Sequence, residues 1–210
     1  MTDQPHDHDH DHGHDGHDEH EHEHEHDHDH GEHQHVSYEE AVDAFRADKD
    51  EAFRTADDSP VPIENRSGWL GLPYFPVDAS MRFDGLTLEP YAGDQPVSFE
   101  IETTDGRRRP YTRAGTFRFE VHGQPLQLTA YTSETYPDDQ LFVPFMDATT
   151  GHETYGAGRY LDLEPEPDGA YSLDFNLAYH PLCVYDPKYS CPVTPAENRL
   201  PVRIEAGERL

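Results

Sequence analysis

The stretch Phe117-Arg-Phe-Glu-Val-His-Gly-Gln-Pro-Leu-Gln-Leu-Thr-Ala130 decides the fold. Phe117, Phe119 and Val121 alternate with Arg118 and Glu120, and Leu126, Leu128 and Ala130 alternate with Gln127 and Thr129. A period of two puts each apolar set on one face of a pleated strand and the polar set on the other. His122-Gly123-Gln124-Pro125 between them reads as a reversal. The segment therefore predicts an antiparallel hairpin with one buried face.

The same alternation recurs on both sides. Upstream, Val97, Phe99 and Ile101 alternate with Ser98, Glu100 and Glu102, and Asp105-Gly106 supplies the next turn. Further candidate strands are 81–88, 141–145, 158–163, 170–175 and 202–205, with an acidic turn at 164–169. About eight short strands with close turns predict a mainly β protein, an antiparallel barrel or sandwich. One helix precedes it, over 36–58. Ser37-Tyr38-Glu39-Glu40 fits a capping box, in which the Ser hydroxyl and the Glu carboxylate each accept from the other's backbone amide. Tyr38, Ala41, Val42, Phe45, Ala52 and Phe53 recur at helical spacing, with Glu39, Asp43, Arg46 and Asp50 mostly on the other side. Asp57-Asp58-Ser59-Pro60 is the expected stop, and the β domain is expected over 59–210.

Of 210 residues, 44 are acidic and 15 basic, for a net charge of −29. The first 35 residues hold 13 carboxylates and no Lys or Arg, so the rest carries 31 acidic against 15 basic groups, near −16. Such a chain repels phosphate backbones and anionic membrane surfaces, which argues against nucleic-acid or membrane partners and for cations. Self-repulsion of this size is tolerable in concentrated salt, where the Debye length falls to about 3 Å, so a salt-loving host is expected. No run of about 18 apolar residues occurs, and the first residues lack a signal-peptide pattern. A soluble cytoplasmic protein is the expectation.

Residues 1–35 alternate acid with histidine and hold 14 of the 17 histidines. With so little to bury, the segment is expected to be disordered without a ligand. His6, His8, His10, His12 and His14, then His20, His22, His24, His26, His28 and His30, offer imidazoles that are mostly neutral at pH 7. Imidazole suits zinc, nickel, copper and cobalt. The tail is expected to take up several divalent transition-metal ions, for buffering or delivery, without tuned selectivity. Two other readings stand, a solvated acidic tail that binds metal only as any histidine-rich peptide does, and an engineered purification tag, against which the interleaved carboxylates argue.

In the body, Asp147-Ala-Thr-Thr-Gly-His-Glu-Thr-Tyr-Gly-Ala-Gly-Arg-Tyr-Leu-Asp162, then Asp174-Phe-Asn-Leu-Ala-Tyr-His-Pro-Leu-Cys183, then Tyr189-Ser-Cys-Pro-Val-Thr-Pro-Ala-Glu-Asn-Arg-Leu-Pro-Val-Arg-Ile-Glu-Ala-Gly-Glu208, resembles the domain of unknown function numbered 1684. The likeness extends more weakly back toward Trp69 and excludes the histidine tail. It implies membership of a family without an established activity, and carries over no catalytic residue. His180 stands where that family more usually has Asn.

Beside Gly156 and Gly158, the Arg159 guanidinium is able to grip a carboxylate or phosphate with two parallel hydrogen bonds. Asp147, Tyr155 and Asn176 complete a candidate pocket for a small anionic ligand. Two readings stand: that pocket, or an Arg159 paired internally with Asp147 or Asp162 while the glycines serve a turn. The Arg107-Arg108-Arg109 run reads as a solvated hairpin tip rather than an anion site. Cys183 and Cys191 admit a disulfide or redox pair, worth about 2.5 kcal/mol by chain entropy, a metal site with His180, or two buried thiols that simply pack. A rival reading is an enzyme of hydrolase or transferase type, with its pocket around Asp147, Tyr155, Arg159 and the Cys183 loop and His180 or His152 as base. No Walker loop, GxGxxG, HExxH or GxSxG pattern occurs.

Overall fold

A computed structural model describes residues 36–210. The hairpin at 117–130 forms as its alternation dictates. β3 (Arg108–Val121) pairs antiparallel with β4 (Gln124–Thr132), and Val121 faces Gln124 across a two-residue loop. His122 and Gly123 both take positive φ, 50° and 79°, the conformation whose twist matches the two strands. β2 (Ser98–Glu102), β5 (Leu141–Phe145) and β6 (Arg159–Leu163) complete an antiparallel sheet in the order β2-β3-β4-β5-β6. β1 (Arg82–Leu86) and β7 (Tyr171–Asp174) form a separate two-stranded ribbon.

The register of β3 slips between Arg113 and Gly115. An extra residue flips every side chain beyond it to the other face. Hence Phe117, Phe119 and Val121 join one core with Leu126, Leu128, Val143, Phe145 and Leu161, while Tyr111, of the same parity, joins Tyr131, Phe142 and Tyr160 on the opposite face. The ribbon covers the first core, with Phe83 5.1 Å from Phe119 and Tyr171 5.2 Å from Phe117 between ring centroids. The second face is an aromatic layer, and it becomes the floor of a cleft.

The sheet does not close into a barrel. β4 and β5 share a single paired position, Tyr131 with Phe142. The wedge between them is filled by Asn198, whose side chain accepts from Thr129 N and donates to the carbonyls of Thr129 and Pro144 at 2.7–2.8 Å. Seven strands form among the described residues, and the expected strand at 202–205 is not one of them. Val202 O accepts from Ala148 N at 2.9 Å, and at Ile204 side chains serve the backbone: N donates to Asp147 and O accepts from Arg159, both at 2.8 Å. No ladder is needed where a carboxylate and a guanidinium fill its role.

α1 (Tyr38–Thr55) starts at the expected capping box, with Ser37 N donating to the Glu40 carboxylate at 2.8 Å and Glu40 N to Ser37 Oγ at 3.2 Å. A four-residue helix, α2 (Ile63–Arg66), follows. The inward face of α1 differs from the apolar reading. Ala41, Phe45 and Ala52 are exposed, whereas Val42 and Arg46 are buried and Lys49 and Asp50 half-buried. Arg46 donates to the carbonyls of Phe75 (3.1 Å) and Asn176 (3.3 Å), and Asp50 accepts from Leu72 N at 2.8 Å. The helix docks through paired polar groups, so its charged residues are not confined to the solvent side.

Candidate functional site

Gly158 holds the start of β6 where the candidate residues meet. Its φ is +97°, and an added Cβ would lie 2.5 Å from both Phe145 O and Thr194 Oγ1. Gly156, expected to allow a similar approach, has open space around it. Next to Gly158, Arg159 is 1% exposed. One Nη donates to Ala206 O and Glu208 O, the other to Ile204 O and, at 3.4 Å, to Asp147. Asp147 also accepts from Thr149, Thr150 and Ile204 N. The pair straps the turn at 147–154 and β6 to the final segment. Burial pulls the Arg159 pKa below its ordinary value, with Asp147 acting in the opposite direction.

Asn176 belongs to another network. It donates to Tyr38 OH, Asp78 O and Asp174, and accepts from Asp78 N, all within 3.0 Å. Tyr155 is half-buried; its backbone N–H donates to His180 Nε2 at 3.2 Å, and its hydroxyl accepts from Cys183 Sγ at 3.8 Å. Asp147 and Arg159 are thus brought together, while Tyr155 and Asn176 are each tied elsewhere.

His180 is 2% exposed. Burial, reinforced by Arg159 and Lys49, lowers its pKa to about 3, so the ring is neutral. Its Nε2 lone pair is taken by Tyr155 N–H, leaving none for a proton from Cys183 or for a metal. No group of three or more His, Cys, Asp or Glu able to hold a metal ion occurs among the described residues. The tail histidines lie outside the described residues. Beneath His180 sits Glu208, also buried, which accepts from Lys49 Nζ (2.6 Å), His180 N (2.6 Å) and Tyr185 OH (2.9 Å). Nothing in the sequence alternation marks Glu208, Lys49 or Tyr185 as partners, since they are scattered along the chain.

A cleft of about 410 Å³ opens on the aromatic face of the sheet. Tyr136, Tyr160, Tyr179 and Tyr189 wall it; Arg107, Arg109 and Lys188 rim it; Leu182, Cys191 and the neighbouring prolines close one side. No carboxylate is among its lining residues, whereas two other clefts, of about 440 and 400 Å³, include Glu134 and Asp138, or Asp162, Glu164, Glu166 and Asp174. Tyr179 donates its hydroxyl to Asp162 (2.5 Å) and Tyr160 donates to Pro192 O, so these two rings offer the cleft mainly aromatic surface. Arg107 is paired with Asp105 and Lys188 with Asp186. Arg109 has no carboxylate partner among the described residues; burial pushes the Tyr111 and Tyr136 hydroxyls up, the nearby Asp162 carboxylate adds to that push, and the Arg109 charge opposes it. Arg107 and Arg108 are exposed as a hairpin tip would be, but Arg109 is half-buried.

The fold and cleft define an open antiparallel β-sheet protein with an aromatic, cation-rimmed hollow on one face. The chain belongs to the family of proteins of unknown function DUF1684, whose model matches residues 67–209. A solved relative is the uncharacterized protein from gene locus rrnAC0354 of Haloarcula marismortui, determined in solution by NMR. It is 38% identical over 81% of this chain and 92% of its own, with a TM-score of 0.59. No curated protein matches the chain. Among the described residues, no helix is long and apolar enough to cross a membrane.

Proposed function

We propose that the β domain binds a small planar anion, an aryl carboxylate or aryl phosphate, in the tyrosine-walled cleft. The observation that carries this is Arg109: in a body with about two carboxylates per cation, a half-buried guanidinium that has no carboxylate partner among the described residues borders a hollow whose described lining includes no carboxylate. A cleft with low-dielectric walls concentrates the field of its rim charges, and aromatic rings add contact area that salt does not screen. Arg159, which the sequence left open as either an anion grip or an internal partner of Asp147 or Asp162, supports this reading indirectly, by bracing β6 and hence Tyr160 beneath the cleft.

Ligand-detected NMR with benzoate, phenyl phosphate and, as the cationic control, cyclohexylamine tests the proposal. Both aryl anions bind and Arg109→Gln weakens them about tenfold, the value of one charge-assisted hydrogen bond. Equal binding of the amine, or an Arg109→Gln protein that binds as before, overturns it.

A second reading concerns residues 1–35, where 14 histidines interleave with 13 carboxylates. We propose that this tail collects zinc, nickel, copper or cobalt and releases them as pH falls through the imidazole range. Calorimetry of the full chain against residues 36–210 tests it with zinc and with nickel. Heat from the full chain only, lost at pH 5, supports collection, and equal heat from both refutes it.

A further inference from the structure

We propose that Cys183 and Cys191 are a reversible peroxide-oxidised pair, and that their disulfide tightens the cleft; the second half rests on the anion-binding reading above. Both thiols are free. The loop between them folds back so that Cys183 N donates to Cys191 Sγ at 3.3 Å. One sulfur already lies against the main chain of the other residue, so side-chain rotation brings the sulfurs together with little movement of the chain. Pro181, Pro187 and Pro192 restrict the alternative paths of the loop.

The two thiols are not equivalent. Cys183 is half-buried and its Sγ contacts the Tyr155 hydroxyl at 3.8 Å; Cys191 is buried, and burial pushes its thiol up to about 11. An incoming peroxide therefore meets Cys183 first. The Cys183 thiol gives its proton to solvent, the resulting thiolate attacks one oxygen of hydrogen peroxide, the O–O bond breaks, and a sulfenic acid forms as the departing hydroxide recovers that proton and leaves as water. The Cys191 sulfur then attacks the Cys183 sulfur; the S–S bond forms, the S–O bond breaks, and the departing hydroxide takes the Cys191 proton as water. Two thiols and one peroxide give one disulfide and two waters. A dithiol reductant reverses the step by exchange.

The link to binding is positional. Cys191 lines the cleft, and the segment bridged by the two cysteines carries Lys188, Tyr189 and Ser190 of the same wall. Closing that ring fixes these side chains before a ligand arrives and removes part of the ordering cost of binding.

The test treats the full chain with hydrogen peroxide and maps the peptide spanning residues 183–191 by mass spectrometry. The expected result is loss of two hydrogens, protection of both cysteines from alkylation, and recovery with dithiothreitol. In Cys191→Ser, Cys183 instead gains oxygen or is trapped by a sulfenic-acid reagent. A wild-type peptide that gains oxygen without losing hydrogens, or a disulfide between two chains, overturns the pair. Phenyl phosphate affinity is then compared between the oxidised and reduced protein, with the double Cys→Ala protein exposed to peroxide as control. Oxidation strengthens binding about two- to tenfold. A disulfide that leaves affinity unchanged overturns the coupling alone, whereas failure of the Arg109→Gln test overturns the cleft reading and leaves the disulfide standing.

Discussion

Half-buried Lys49 of α1 and the buried Glu208 of the final segment meet as an ion pair, with 2.6 Å between Nζ and Oε1. The carboxylate is 1% exposed and also serves His180 N and Tyr185 OH. One side chain thus joins the helix, the segment after β7 and the chain's final stretch. A buried carboxylate is tolerated only while its charge is answered. Lys49→Met is expected to cost about 3–5 kcal/mol, by leaving Glu208 uncompensated. The double variant with Glu208→Gln regains part of this. Urea unfolding followed by fluorescence of the single tryptophan, Trp69, packed 6.3 Å from Tyr185 between ring centroids, measures both. A single variant no less stable than wild type contradicts the account.

His180 gives a pH dependence of defined sign. Its folded pKa of about 3 lies below the ordinary histidine value of 6.5. Between those values the unfolded chain binds the extra proton and the native one does not, so stability falls as pH drops from about 6.5 toward 3, by up to about 4 kcal/mol. His180→Asn removes the titrating ring. Over pH 4.5–7, its unfolding free energy is expected to vary less than that of wild type, the difference growing toward acid. Parallel curves for the two proteins remove His180 as the source.

The strands were legible because burial on one face writes a period of two into Phe117–Ala130, and the capping box because Ser37 and Glu40 are local. The inner face of α1 was not, since Arg46, Lys49 and Asp50 turn inward to partners 22 to 159 residues away. Residues 202–205 read as a strand because Val202 and Ile204 alternate with Arg203 and Glu205; that Asp147 and Arg159 bond the Ile204 backbone in place of a neighbouring strand is invisible locally. The cleft is less legible still. Arg109, Tyr136, Tyr160 and Lys188 reach it from four separate segments, and no spacing rule connects them. The internal pairing of Arg159 with Asp147 was one of the two readings open from sequence, and the geometry displays that contact.

Gly158 and Gly156 make a matched pair for testing the strain argument. An alanine at 158 must hold φ near +97° and place Cβ 2.5 Å from a backbone oxygen, whereas at 156 nothing lies within 4 Å. Gly158→Ala is expected to lose about 2–3 kcal/mol or more, and Gly156→Ala to stay within about 0.5 kcal/mol of wild type. Equal losses at both positions refute the close-approach explanation. A large loss at 158 alone, with β6 amides exchanging faster, fits it.

The net charge near −16 on residues 36–210 should make stability depend on salt through screening, because surface ion pairs such as Arg82–Asp84, Arg118–Glu89 and Arg203–Glu153 neutralise only part of the carboxylates. Raising ionic strength shortens the Debye length from about 10 Å at 0.1 M to about 3 Å at 1 M, which removes most of the repulsion between exposed acids. The paired interior, including Lys49–Glu208, is screened far less. The melting temperature therefore rises over this range, by about 2–4 °C for each kcal/mol of repulsion removed. Screening depends on ionic strength and not on the cation, so potassium, sodium and choline chlorides should act alike. A rise with potassium that choline fails to reproduce points to specific cation binding at the acidic surface instead, and a melting temperature that falls with all three salts means that exposed ion pairs outweigh the net repulsion.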